Sequence, residues 1–188
     1  MLNIMTELSL NVLDISNNSL RAGATRVEIE ISADTKANTL KLQIADNGKG
    51  MSPEFLATVT DPFATTRTSR RVGMGLPLLK MEAIMTEGSF DIKSEVGKGT
   101  EVVAVFGLSH VDRPPLGDMA DTMAVLIGSE FDTDYLFIFS VDGEEYRFDT
   151  LEIKEILDGV DIRSSEVIIY LTQMIRENLS NLNGGKIL

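Results

Sequence analysis

Residues 40–51, LKLQIADNGKGM, constrain the architecture more than any other stretch of the chain. Leu40, Leu42 and Ile44 alternate with Lys41 and Gln43, which is the period of a strand with one buried face, and the same count puts Asp46 on the apolar side. A carboxylate there needs a partner, because an unpaired charge among apolar groups is costly. Asn47, Gly48 and Gly50 then turn the chain within a few residues. On these residues alone, an Asn-Gly turn closing a hairpin, with Asp46 satisfying backbone amides, accounts for the pattern. It does not account for the glycine pairs and polar helix positions elsewhere in the chain.

A helix is predicted over residues 7–22, with Leu8, Val12, Leu13 and Ile15 apolar and Gly23 as its stop. TRVEIEIS reads as a strand, and LKLQIAD comes after it. A short helix begins after Ser52-Pro53, a cap followed by a proline in the first turn. GLPLLKMEAIM reads as a helix, and SFDIKSE and TEVVAVFGL as two more strands. SHVDRPPLGD, with two prolines and a glycine, is the predicted linker, dividing the chain into residues 1–108 and 109–188. Beyond it come a helix in DMADTMAVLI, a hairpin turning at Asp142-Gly143, and a closing helix in SSEVIIYLTQMIRENLSNL. This second part carries no chemical motif and reads as a small α+β extension, accessory or dimerising.

Composition narrows the classes. With 43% hydrophobic and 24% charged residues the chain is globular. No run of about 18 apolar residues suits a bilayer, and the first residues lack the order of a signal peptide, so no membrane partner and a cytoplasmic location are expected. There is no cysteine and one histidine, which leaves nothing for disulfides or thiolate metal sites. The net charge of -12 argues against nucleic acid as partner. Residues 109–188 hold 16 acids and 6 bases, whereas residues 61–80 hold Arg67, Arg70, Arg71 and Lys80 against one acid. A local basic loop in an acidic chain suggests a bound anion, with a solvated loop as the alternative.

Three further features carry chemistry. In the first helix Glu7, Asn11, Asp14, Asn18 and Arg21 form a stripe, the spacing of any solvent-facing helix side. Within it Asp14 and Asn18 lie one turn apart, so a carboxylate and an amide oxygen could face one cleft. The amide oxygen suits Mg2+, and the carboxylate could take a proton from an attacking hydroxyl. Gly73 and Gly75 open a helix, where phosphate would fit. Gly97 and Gly99 precede Thr100 at the start of a strand.

An acid-and-amide helix, a strand ending Asp-x-Gly-x-Gly, DPFATT, a Gly-x-Gly helix start and a Gly-x-Gly-Thr strand, in that order over residues 7–106, resemble the GHKL superfamily. That superfamily groups DNA gyrase, heat-shock chaperones, histidine kinases and mismatch-repair ATPases. The resemblance implies a Bergerat ATP-binding α/β sandwich, an α+β fold with helices on one face of a mixed sheet. It also implies ATP and Mg2+ as ligands. It makes Asp46 the acceptor for the adenine amine, with Gly50 passing close to the ring and Thr100 in the same network. Asn18 matches the magnesium-binding asparagine, and Gly73 and Gly75 with the helix after them match the phosphate box. Gly48, Met51, Met74 and Leu76 complete the expected contacts, and Phe63, Thr65, Thr66, Arg67 and Arg71 fall in the segment matching the mobile lid.

Different stretches resemble different branches. NNSLRAGATRVEIEI is similar to mismatch-repair ATPases, while DPFATTRTSRRVGMGLPLLK and SEVGKGTEVVAVF are similar to histidine kinases. Hydrolytic members and serine-directed kinases usually place glutamate four before the asparagine; here it is Asp14, one methylene shorter, so Asp14 is the candidate general base. HVDRPPL matches the skeleton of a phosphoacceptor box, with its acid one place late and an extra proline. His110 is thus a candidate phosphoacceptor, against a linker histidine. The expectation is an ATP-binding regulatory protein kinase or slow ATPase acting with a protein partner or substrate, with a homodimer as one arrangement. The alternative is a nucleotide sensor without catalysis.

Overall fold

The computed structural model describes residues 7–61 and 75–183. The elements run α1 (Leu8–Arg21), β1 (Arg26–Asp34), β2 (Thr39–Asp46), α2 (Pro53–Leu56), α3 (Gly75–Met85), β3 (Ser89–Glu95), β4 (Gly99–Gly107), α4 (Met119–Ile127), β5 (Asp134–Val141), β6 (Glu144–Asp149), α5 (Thr150–Leu157) and α6 (Ser165–Asn183). The strands form one mixed sheet ordered β3-β4-β2-β1-β5-β6. Only β1 and β5 are parallel; the other neighbours are antiparallel.

The period-two pattern decides which face is covered. Val27, Ile29 and Ile31 stand beside Ile44 and Leu42 on one side and Tyr135, Phe137 and Phe139 on the other, and all are buried. They form one core with Leu8, Val12 and Ile15 of α1, Leu79 and Ala83 of α3, Met119 and Met123 of α4, and Leu171 and Ile175 of α6. The opposite face carries the ion pair Lys41–Glu30 and the Gln43–Glu101 hydrogen bond. Helices on one face of a mixed six-stranded sheet make this an α+β sandwich of the Bergerat kind.

The stretch beyond residue 108 shares this sheet. β5 pairs with β1 from Arg26↔Asp134 to Ala33↔Val141. The β5–β6 hairpin turns at Asp142 and Gly143, both at positive φ, as a two-residue hairpin turn requires. The proline-rich segment packs against α1: Pro115 and Leu116 carbonyls accept from the Leu8 and Ser9 amides, two of the four donors that a helix start leaves unpaired. Gly117, at φ +76, could not carry a Cβ, which would collide with Ser9 Oγ. Arg26 joins the two stretches through paired bonds to Asp149, at 2.8 and 2.7 Å.

Two details differ from the sequence-based expectation. The polar stripe of α1 faces solvent only in part: Arg21 is exposed, Glu7, Asp14 and Asn18 are half-buried, and Asn11 is fully buried and bonded to Glu82 of α3. Helix α5 succeeds β6 directly, capped by Asp149, whose carboxylate accepts from the Leu151 amide. No element is expected at TLEIKEIL from the sequence, although Ile153, Ile156 and Leu157 recur at helical spacing.

Candidate functional site

A cavity of about 380 Å³ opens between α1, the end of β2 and the start of β4. Its walls are mostly apolar, with Ile15, Ile44, Met51, Val59, Leu76 and Val102, and Asp46 supplies a carboxylate among them, with Arg21 and Lys49 as the cations of the lining. Both Asp46 oxygens are fixed. The Ser19 hydroxyl donates to Oδ2 at 2.6 Å, and the Gly48 amide donates to Oδ1 at 2.9 Å. The turn thus does satisfy the carboxylate locally, and it also leaves lone pairs facing the cavity, where a ligand donor could use them. An aromatic base bearing an amino group fits such a cavity.

The glycines allow the backbone to close around it. Gly50 sits at φ +65, and a Cβ there would collide with the Glu95 carbonyl oxygen. Next to it, the Met51 amide donates to Ser94 Oγ at 2.9 Å. Ser94 gives its own proton to the Gly99 carbonyl at 2.8 Å, so in its 2.9 Å contact with Thr100 the threonine hydroxyl is the donor. Thr100 therefore presents acceptor capacity to the cavity. Ser19 and Ser94, which hold Asp46 and Thr100, are candidate site positions that the motifs do not single out. Ser19 is legible as the residue after Asn18; Ser94 is not, because its link to Thr100 depends on the β3–β4 register.

Asn18 lines the same cavity, and Asp14 lies one turn before it, half-buried. Burial pushes the Asp14 pKa above its ordinary 3.8, against the opposing pull of Arg21 and of a hydrogen bond with Asn18. Its Oδ2 is buried without a hydrogen-bond partner among the described residues. A Cβ on Gly75 would collide with that oxygen, so glycine at the start of α3 is what lets the helix approach the carboxylate. The Asn18 amide oxygen is the group here that would serve as an oxygen ligand to a magnesium ion. No group of three or more histidine and acidic side chains gathers among the described residues to hold a metal by itself.

Of the expected site residues, Asp14, Asn18, Asp46, Gly48, Gly50, Met51, Gly75, Leu76 and Thr100 surround this cavity or touch a residue that lines it. Phe63, Thr65, Thr66, Arg67, Arg71, Gly73 and Met74 lie outside the described residues. His110 is elsewhere. It lies just past Gly107, at the opposite end of β4 from Thr100, about 23 Å away along a strand rising about 3.3 Å per residue. Its Nδ1 accepts from the Asp112 amide at 3.1 Å, which in the neutral ring puts the proton on Nε2.

Comparison with known proteins agrees with this geometry. Residues 2–110 match the family model described as histidine kinase-, DNA gyrase B-, and HSP90-like ATPase. The chain is 36% identical over 104 residues to sensor protein SrrB of Staphylococcus aureus strain NCTC 8325 / PS 47, and equally to SrrB of strain COL. These matches cover 53% of this chain and 17% of the relative, so the chain spans under a fifth of the sensor proteins it resembles. Among solved structures, the N-terminal domain of a DNA repair protein superposes with a TM-score of 0.52 at 16% identity, over 78% of this chain and 52% of that one. That likeness concerns the fold alone. No helix among the described residues is long and apolar enough to cross a membrane.

Proposed function

The chain belongs to the histidine kinase-, DNA gyrase B- and HSP90-like ATPase family, and from that premise we propose that it binds ATP with magnesium and transfers or slowly hydrolyses the terminal phosphate in concert with a protein partner. One observation carries the reading: Asp46, with both oxygens oriented by Ser19 and Gly48, stands at the wall of an apolar cavity sized for a purine. A carboxylate fixed in that way selects a base with an exocyclic amine, since a base lacking it leaves a buried acceptor unpaired.

The remaining residues divide the chemistry. Magnesium at Asn18 would neutralise charge on phosphate oxygens. Asp14, desolvated and with an unpaired Oδ2, is the group that accepts the proton of the attacking hydroxyl, whether from water or from a serine of a partner. The start of α3 offers its amides to phosphate, close to the same carboxylate. Residues 109–188 complete the sheet with β5 and β6, and any accessory or dimerising role would be carried by their exposed surface. His110, about 23 Å along β4 from Thr100, would receive a phosphoryl group only from a second copy of the chain.

The test is incubation of the full chain with magnesium and ATP labelled at the terminal phosphate, tracking free phosphate and protein-bound label together. Free phosphate without label identifies a slow ATPase; acid-stable label on an added protein identifies a serine kinase. Acid-labile label lost in His110→Ala identifies transfer between copies. Binding without either product, for the chain with its partner, makes this a nucleotide sensor and refutes Asp14 as a base.

A further inference from the structure

Away from the cavity, α1 and α3 meet through a polar contact between two side chains that do not line it. Asn11 is fully buried, and Glu82 is 5% exposed. Asn11 Nδ2 donates to Glu82 Oε2 at 2.9 Å. The other oxygens of both groups, Asn11 Oδ1 and Glu82 Oε1, are buried as well, and neither has a hydrogen-bond partner among the described residues. Two orphaned acceptors in one contact are what a dry interior ordinarily excludes.

One proton removes both orphans. A carboxylic acid and a primary amide are flat groups of matching shape, so when the amide donates to one carboxyl oxygen, a hydroxyl on the other points back at the amide carbonyl. We propose that Glu82 is held as the neutral acid and closes a two-bond ring with Asn11, Nδ2–H to Oε2 and Oε1–H to Oδ1, and that this ring is the positioning contact that sets α3 against α1. The site it positions is the proposed nucleotide site, and the positioning role rests on that reading: α1 carries Asp14 and Asn18, and α3 begins at Gly75 against Asp14. Gly75 abuts the Asp14 carboxylate at one end without a hydrogen bond, and Asn11–Glu82 is the hydrogen-bonded contact at the other, so its loss lets α3 shift against α1.

The surroundings favour the neutral form. Burial raises the Glu82 pKa above its ordinary 4.5, and only the hydrogen bond from Asn11 opposes it. No cation of the described residues compensates a charge there. The faces of β3 and β4 beneath α3 present Phe90, Ile92 and Ser94 and Val102, Ala104 and Phe106, Asp14 of α1 lies at the far end by Gly75, and Lys80 of α3 reaches Thr60. Because the folded value lies above the unfolded one, the contribution to stability is complete below about pH 4.5 and declines as pH rises through the raised value.

The test compares the full-length protein with E82Q, E82A and N11A by infrared difference spectroscopy, thermal melts between pH 5 and 9, and ATP titration. Glutamine rebuilds both bonds without a titrating proton. The expected result is a protonated-carboxyl stretch at neutral pH that E82Q abolishes, a melt for E82Q that has lost the decline with rising pH traceable to Glu82, and ATP affinity several-fold weaker in E82A and N11A but near normal in E82Q. An ionised Glu82 at neutral pH, or E82Q behaving like E82A, overturns the proposal. If E82A does not fold, the wild-type spectrum and E82Q still decide it. Absence of ATP binding in the wild type, with the acid stretch present, would refute the nucleotide reading and leave the acid–amide ring standing.

Discussion

Replacing Asp46 with asparagine separates recognition from folding, because its two partners differ in what they can tolerate. The Gly48 amide is a fixed donor, so the new side chain must turn its oxygen toward it and its NH₂ toward Ser19. Ser19 can accept that arrangement: its hydroxyl can accept from the NH₂ and redirect its proton to the Ile15 carbonyl, already 3.3 Å away. The fold should survive. A ligand amine, however, meets a donor where it needs an acceptor and loses a charge-assisted bond worth about 1.5–3 kcal/mol, with an unpaired buried donor adding about 1–3 kcal/mol. At about 1.4 kcal/mol per decade, a combined loss of about 2.5–6 kcal/mol weakens ATP roughly two to four orders of magnitude. Calorimetric titration with ATP, alongside circular dichroism to establish folding, gives the answer. A folded D46N protein that binds within a few-fold of wild type would refute Asp46 as the adenine reader. Ser19→Ala, which removes one of the two groups orienting the carboxylate, should lose about tenfold, the effect of one hydrogen bond of about 1–1.5 kcal/mol.

Asp14→Asn should bind ATP normally and lose turnover, measured as phosphate release or transfer. Because burial raises the Asp14 pKa, its ionised form costs stability as pH rises above 3.8, so the variant should melt no lower than wild type at neutral pH. Gly75→Ala must displace the Asp14 carboxylate, with which its Cβ would collide, and should reduce turnover more than nucleotide affinity. Arg26→Ala removes both bonds to Asp149 and should cost about 2 kcal/mol, or roughly 4–8 °C in melting temperature. The hydrogen bond from Arg26 holds the Asp149 pKa below 3.8, so the pair is fully stabilising above that value and is lost as pH falls below it. The variant's acid-side decline should therefore be shallower than the wild type's.

Legibility from sequence tracks the range of the interactions. The strands around Asp46 are readable because each alternates locally, and the box order points to the ligand without any geometry. The α1 stripe misleads because period alone cannot separate a face toward solvent from a face toward another helix. Asn11 is buried by Glu82, 71 positions away. Ser94 is hidden for the same reason, its partners Met51 and Thr100 coming together only when β3 pairs with β4. The parallel pairing of β5 with β1 is also invisible, since a hairpin's sequence does not say which edge it joins.

That pairing predicts how the chain tolerates division at residue 108. β1 lies inside the sheet, and a fragment of residues 1–108 would turn it into an edge, with eight residues from Arg26 to Ala33 stripped of their β5 partners. It would also remove Tyr135, Phe137, Phe139 and Val141, which pack in the same core as Val27, Ile29 and Ile31, and Met119 and Met123, which pack with α1. At about 1.5–3 kcal/mol for each large apolar side chain, the first four alone contribute about 6–12 kcal/mol, as much as the whole stability of an ordinary domain. The α1 start would lose the Pro115 and Leu116 carbonyls that hold the Leu8 and Ser9 amides, at the head of the helix bearing Asp14 and Asn18. The fragment should therefore aggregate or melt without cooperativity and fail to bind ATP, although it contains every expected nucleotide contact. A fragment of residues 1–108 that melts cooperatively near the wild-type temperature would show instead that β5 and β6 are attached to a sheet already stable without them.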